Sequence, residues 1–170
     1  MLPLYKIINP TIGILTNIGG AHQENFSTLQ DKCIEKLNLF RKCDILVYDA
    51  DNELIQGCVN KAVMTAGEIA WSKKNQEKPL FISAIEKSKA STTVKYRYLG
   101  LDNQYSIPFI DDASIENSIH CLAVCLYLMI SPDVIAERMA KLEPLAMRLE
   151  VKDGKNNCII INDSYNSDIS

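Results

Sequence analysis

The sequence predicts an α/β protein: a doubly wound, mostly parallel sheet with an antiparallel hairpin at its edge. Three observations carry that prediction. Short apolar runs at 12–15, 44–48 and 68–71 alternate with stretches of helical periodicity over short links, the mark of parallel strands joined by crossover helices. Between 92 and 110 the texture changes to β-branched and aromatic residues interleaved with polar ones, as antiparallel strands require. A hydrophobic fraction of 47% over 170 residues supplies one full core.

Taken in order, Ile12, Gly13, Ile14 and Leu15 lead straight into Thr16-Asn17-Ile18-Gly19-Gly20-Ala21-His22. Polar groups and two glycines thus stand where a buried strand opens into a crevice, the usual ligand position in open α/β sheets. Ser27 and Gln30 have capping-box spacing, so a helix is expected to start near Thr28. Leu29, Cys33, Leu37 and Phe40 recur at helical spacing as its buried stripe. At about 100° per residue, Lys36 falls beside Leu29 on the edge of that stripe. A lysine there either snorkels its ammonium into water or is desolvated and held as a neutral, reactive amine.

Residues 44–48 are a buried strand. Asp51 and Asn52 open a second helix, with Leu54, Ile55, Cys58, Val59 and Val63 on its apolar face, and 68–71 are the third strand. Residues 72–78 read as a polar loop and 80–82 as a short strand. Strands at 92–99 and 105–110 form a hairpin about Asp102 and Asn103. Asp112 or Ser114 caps a long apolar helix reaching 130. Ser131 at N-cap and Pro132 at N1 begin another, which stops before Glu143 and Pro144. Strands at 149–152 and 158–161 flank a turn at Asp153-Gly154-Lys155-Asn156.

A net charge of −3 without a basic cluster gives no footprint for nucleic acid. The longest apolar run, 122–130, is too short to span a membrane, and residues 1–6 carry no basic leader. Six scattered cysteines without a C-x-x-C pair read as reduced core thiols of a cytoplasmic protein. His120, Cys121 and Cys125 share one helix; as a zinc site they would lack a fourth ligand, so they read as packing.

Thr16-Asn17-Ile18-Gly19, Ala21-His22, Phe26 and Lys36, fourteen residues past the histidine, together resemble the central-domain signature of the Mur ligases. These are the ATP-dependent enzymes that build the peptide of bacterial cell-wall precursors. The resemblance implies that His22 binds magnesium and that Lys36 is carbamylated by carbon dioxide, its new carboxylate helping to hold the ion. It puts Thr16 and Asn17 in a substrate-binding stretch. Met147-Arg148-Leu149-Glu150 is similar to the family's arginine motif at the opening of its C-terminal domain. Asn162-Asp163-Ser164-Tyr165-Asn166 resembles the signature that, within the family, points to the D-alanyl-D-alanine-adding member. By the same resemblance, Arg148 and Asp163 contact the phosphate and ribose regions of the nucleotide. Asn117 matches the second asparagine of the H-N-x-x-N motif that contacts adenine, although Ala113 and Ser114 replace its histidine and first asparagine. Plainer readings stand beside these: Arg148 as a surface charge, Asp163 as a turn cap, Asn117 as a first-turn helix residue.

The resemblance implies two parts: 1–145 as a partial central domain, and 146–170 as the first hairpin of the C-terminal domain. No G-x-x-x-x-G-K-[ST] phosphate loop occurs in the sequence. The expectation is therefore a fragment of a longer ligase. The parent would use ATP and Mg2+ to activate the carboxylate of UDP-MurNAc-tripeptide as an acyl phosphate, which the amine of D-alanyl-D-alanine attacks. The fragment is expected to be inactive, to carry an unmodified Lys36, and to self-associate through apolar surface. A sister ligase, such as a folate-adding member, and a non-catalytic nucleotide-binding module are the alternatives.

Overall fold

A computed structural model describes residues 2–20, 25–62, 64–143 and 150–162. The chain opens on a helix the sequence reading did not assign, α1 (Leu2–Ile8), which leaves Ile7 and Ile8 exposed. Strands β1 (Ile12–Leu15), β2 (Ile45–Asp49) and β3 (Gly67–Ser72) then pair in parallel, with Leu15 beside Tyr48 and Tyr48 beside Ala70. β4 (Leu80–Lys87) joins β3 in parallel at its first two residues. It continues as the first strand of an antiparallel meander with β5 (Thr92–Tyr98) and β6 (Leu101–Ile107). The six strands lie in sequential order in one sheet.

β2 shows why helices must cover both faces. Its residues alternate sides, and Ile45, Leu46, Val47 and Tyr48 are all buried. Leu46 and Tyr48 pack with Leu15, Cys33, Leu37, Ile55 and Cys58 under α2 (Leu29–Leu37) and α3 (Glu53–Lys61). Ile45 and Val47 pack with Trp71, Leu80, Tyr96, Ile119 and Leu122 under α4 (Asp112–Tyr127), with Ile135 of α5 (Pro132–Met139) completing that layer. All six cysteines are free thiols, and Cys33, Cys43 and Cys58 lie in the core. No described helix is long and apolar enough to cross a membrane. β7 (Glu150–Asp153) and β8 (Ile159–Asn162) pair antiparallel in a second sheet of their own.

Several boundaries differ from the sequence reading, each for a local reason. The N-cap of α2 is Thr28, not Ser27: its hydroxyl accepts from the Asp31 backbone N–H at 3.0 Å, the same spacing displaced by one residue. Leu29 is exposed and Lys32 is buried, so the stripe of α2 is rotated from the one expected. Asp111 caps α4, accepting from Ser114 N–H at 2.7 Å. That helix stops at Tyr127, where Met129 turns left-handed (φ 57°) and Ile130 N–H returns to the Cys125 carbonyl at 3.0 Å.

The hairpin turns at Leu99 and Gly100 (φ 50° and 80°), not at Asp102 and Asn103. Two consecutive positive φ values make the primed turn that matches strand twist, and Gly100 takes the second at no steric cost. Asp102 is instead a strand residue opposite Arg97, with an Nε–Oδ1 distance of 2.9 Å.

Gly13 is required by close approach. A Cβ built there would lie 2.7 Å from the Phe40 ring. Gly13→Ala is therefore expected to destabilise the chain by about 1–3 kcal/mol through overpacking, read as a lower urea midpoint at unchanged m-value.

Candidate functional site

β1 empties at Leu15, and Thr16 and Asn17 continue past its carboxyl end. α2 returns alongside and carries Lys36 in its last turn, followed by a 3-10 turn with Leu39 and Phe40. These segments enclose a cavity of about 190 Å³ lined by Ile14, Leu15, Thr16, Asn17, Lys36, Leu39 and Phe40. Three residues singled out by sequence thus meet in one place, at the strand end where α/β sheets bind ligands. Lys36 is half-buried there, between the snorkelled and the sealed extremes.

Two further polar residues are buried in this part of the fold, and the sequence reading gave neither a role here. Lys32, one helical turn before Lys36, is 5% exposed, and its Nζ donates to the Gly19 carbonyl at 2.6 Å. The signal was available: spacing of i and i+4 puts the two lysines on one face of α2. His120 reaches in from α4 on the other face of the sheet. Its Nδ1 accepts the Trp71 Nε1–H at 3.2 Å, and the two rings meet edge to face at 5.5 Å. It is a core residue.

Burial pushes the His120 pKa down from 6.5 to about 4, against the weaker opposing pull of the Thr16 backbone. The folded state therefore keeps a neutral ring where the unfolded chain has already taken up a proton. Between pH 6.5 and about 4 the unfolded state binds more protons, so stability falls as pH falls through that window. The loss attributable to His120 is expected to approach about 3 kcal/mol at the acid end. Urea midpoints at pH 7 and pH 4.5 measure it. His120→Gln should flatten the difference. Asp49, whose carboxyl is raised by burial, contributes with the opposite sign and remains in both chains.

Asn117 is exposed on α4 and does not line the cavity. His22, Arg148 and Asp163 lie outside the described residues. Among the described residues, no three His, Cys, Asp or Glu side chains are grouped to hold a metal. A larger hollow of about 410 Å³ lies on β5 and β6, and none of the described motif residues lines it. Its charges are already matched, Lys95 with Glu86 at 2.6 Å and Arg97 with Asp102 at 2.9 Å.

The Mur ligase middle domain, as a family, matches residues 2–125. The chain belongs to the Mur ligase family. Curated Mur ligases align over nearly all of it. A UDP-N-acetylmuramoyl-tripeptide--D-alanyl-D-alanine ligase of Bacillus subtilis (strain 168) is 25% identical over 169 residues, 96% of this chain and 35% of that protein. The ligase of the same name from Borreliella burgdorferi is 28% identical over 167 residues, 98% of this chain and 35% of that protein. Among solved structures, the MurF ligase of Thermotoga maritima in complex with ADP superposes with a TM-score of 0.76 at 20% identity. That match covers 98% of this chain and 38% of the other. The chain thus spans about a third of the length of the Mur ligases it matches.

Proposed function

We propose that this chain is the central part of an ATP-dependent ligase that adds D-alanyl-D-alanine to UDP-MurNAc-tripeptide in peptidoglycan precursor synthesis, in the cytoplasm. Residues 1–145 are its partial central domain and 146–170 the opening hairpin of its C-terminal domain. The observation that carries the reading is the convergence of Thr16, Asn17 and Lys36 on one cavity at the carboxyl end of β1. Both curated relatives described above bear the name of that activity.

In this reading Thr16 and Asn17 orient the substrate, and Lys36, once carbamylated, presents a carboxylate into the cavity. His22 adds an imidazole ligand. Magnesium takes oxygen ligands in a tight octahedron. The carbamate oxygens of Lys36 suit it in kind and, with His22, would fill only part of the shell. Held there, the ion would supply neutralisation of charge on the nucleotide phosphates. By the family resemblance Arg148 and Asp163 would contact the phosphate and ribose regions of the nucleotide, and Asn117 its adenine. The chain has no glycine-rich phosphate loop with its lysine, so the amides that stabilise charge in phosphoryl transfer are not supplied by these residues. The 170-residue chain alone is therefore inactive in this reading.

The test is ligation by the longer protein with ATP, UDP-MurNAc-tripeptide and D-alanyl-D-alanine, followed by phosphate release and product mass. Product that depends on all three is the expected result. Ligation of a different amino acid or of glutamate to a folate, with none of D-alanyl-D-alanine, would reassign the chain to a sister ligase. Ligation by the 170-residue chain alone would overturn its inactivity.

A further inference from the structure

Lys32 does something in this corner that helical periodicity alone does not explain. A lysine at the edge of an apolar stripe normally carries its ammonium out to water. This one is buried, and its Nζ lies 2.6 Å from the Gly19 carbonyl, the distance of a charge-assisted hydrogen bond. Gly19 belongs to the irregular stretch 16–19 that leaves β1 and carries Thr16 and Asn17. A Cβ added at Gly19 would meet nothing within 4 Å, so side-chain packing does not fix this glycine. The tie to the stretch therefore comes from α2, through the Lys32 ammonium on the Gly19 carbonyl.

We propose that Lys32 is a positioning residue: by tying the Gly19 carbonyl to α2, it sets where Thr16 and Asn17 stand across the cavity from Lys36. The helix makes the linkage stiff. Lys32 and Lys36 are one turn apart on a rigid element, so the reach of the first governs the distance of the loop from the second. The loop geometry stands without the ligase reading; only its catalytic consequence rests on that reading.

Backbone ¹⁵N relaxation in the 170-residue chain tests the geometry. Lys32→Met keeps the apolar stem and removes the donor, whereas Lys32→Arg restores a donor. In Lys32→Met, order parameters at 17–20 should fall from about 0.85 toward about 0.6, the change from rigid to flexible backbone. Those of 46–48 in β2 should not change, and Lys32→Arg should restore 17–20. Unchanged order parameters at 17–20 overturn the proposal. An equal fall in β2 also overturns it, because Lys32 would then be a packing residue only.

In the longer protein, Lys32→Met should lower kcat/KM for ligation about tenfold, as misplacement of a substrate-orienting loop does, with recovery in Lys32→Arg. An unaltered kcat/KM overturns the positioning role. Absence of ligation by the unsubstituted longer protein is a failure of the ligase reading instead, and the relaxation result then decides on Lys32.

Discussion

Trp71→Ala is expected to lower stability by about 3–5 kcal/mol, the largest loss for any single side chain in the core. Trp71 is fully buried at the carboxyl end of β3, in the layer that also holds Leu80, Tyr96, Ile119 and Leu122. Truncation leaves a cavity the width of an indole between sheet and α4. It also strips His120 Nδ1 of its donor, and a buried polar atom without a partner adds its own cost. Trp71→Phe separates the two effects. It refills most of the volume but cannot donate, so it should lose about 1–3 kcal/mol. Urea unfolding of the three chains at pH 7 makes the comparison. A phenylalanine chain as stable as the original would show that the Trp71–His120 bond contributes nothing, and would leave the whole loss to packing.

The same pair marks the boundary of what the sequence discloses. The core strands were legible because burial on both faces forces apolar runs such as Ile45, Leu46, Val47 and Tyr48, and because caps such as Asn52 act over three residues, here on Ile55 N–H at 3.2 Å. The meander was legible as antiparallel but not in register. Asp102 and Asn103 have turn chemistry, yet Arg97 lies across the ladder from Asp102, and a two-residue turn at Leu99 and Gly100 puts them in the strand. Cross-strand ion pairing is invisible until the register is known.

The site divides along the same line. Thr16, Asn17 and Lys36 were legible because motif spacing, strand end and helix edge agree, and the cavity brings them together. Lys32 and His120 were not, because each acts on a backbone carbonyl or a ring distant in sequence: Gly19 is thirteen residues from Lys32, and Trp71 is forty-nine from His120. A lysine among apolar residues reads as a snorkel, and a histidine in an apolar helix as core. Only the placement of their partners tells a clamp from filler.

Lys36 carries the second large expectation. In the longer protein, Lys36→Ala should lower ligation kcat by about 10²–10³-fold, the usual effect of removing one fixed charge-stabilising group. Its KM for D-alanyl-D-alanine should move far less, because in the proposed role the carbamate would act on charge that develops in phosphoryl transfer and not on the incoming amine.

Lys36→Arg discriminates the carbamate from a plain cation. Guanidinium keeps the positive charge and the reach, but it does not trap carbon dioxide. A lysine does so only as the free amine: the ammonium first gives up one proton, the nitrogen lone pair then bonds to the carbon of CO₂, and a second proton leaves the nitrogen, so that a cation is replaced by a carbamate anion. If Lys36 works as that carboxylate, arginine should be as inactive as alanine. An arginine chain with near-normal kcat would show that a cation suffices and would remove Lys36 from the metal shell. Lys36 is half-buried at the end of α2, so both variants should unfold at nearly the midpoint of the parent, which keeps the rate comparison free of misfolding. Preparing the unsubstituted enzyme in buffer stripped of carbon dioxide adds an arm that needs no mutation. The rate should fall toward that of Lys36→Ala and return on adding bicarbonate, whereas a lysine acting through its ammonium would be indifferent to both.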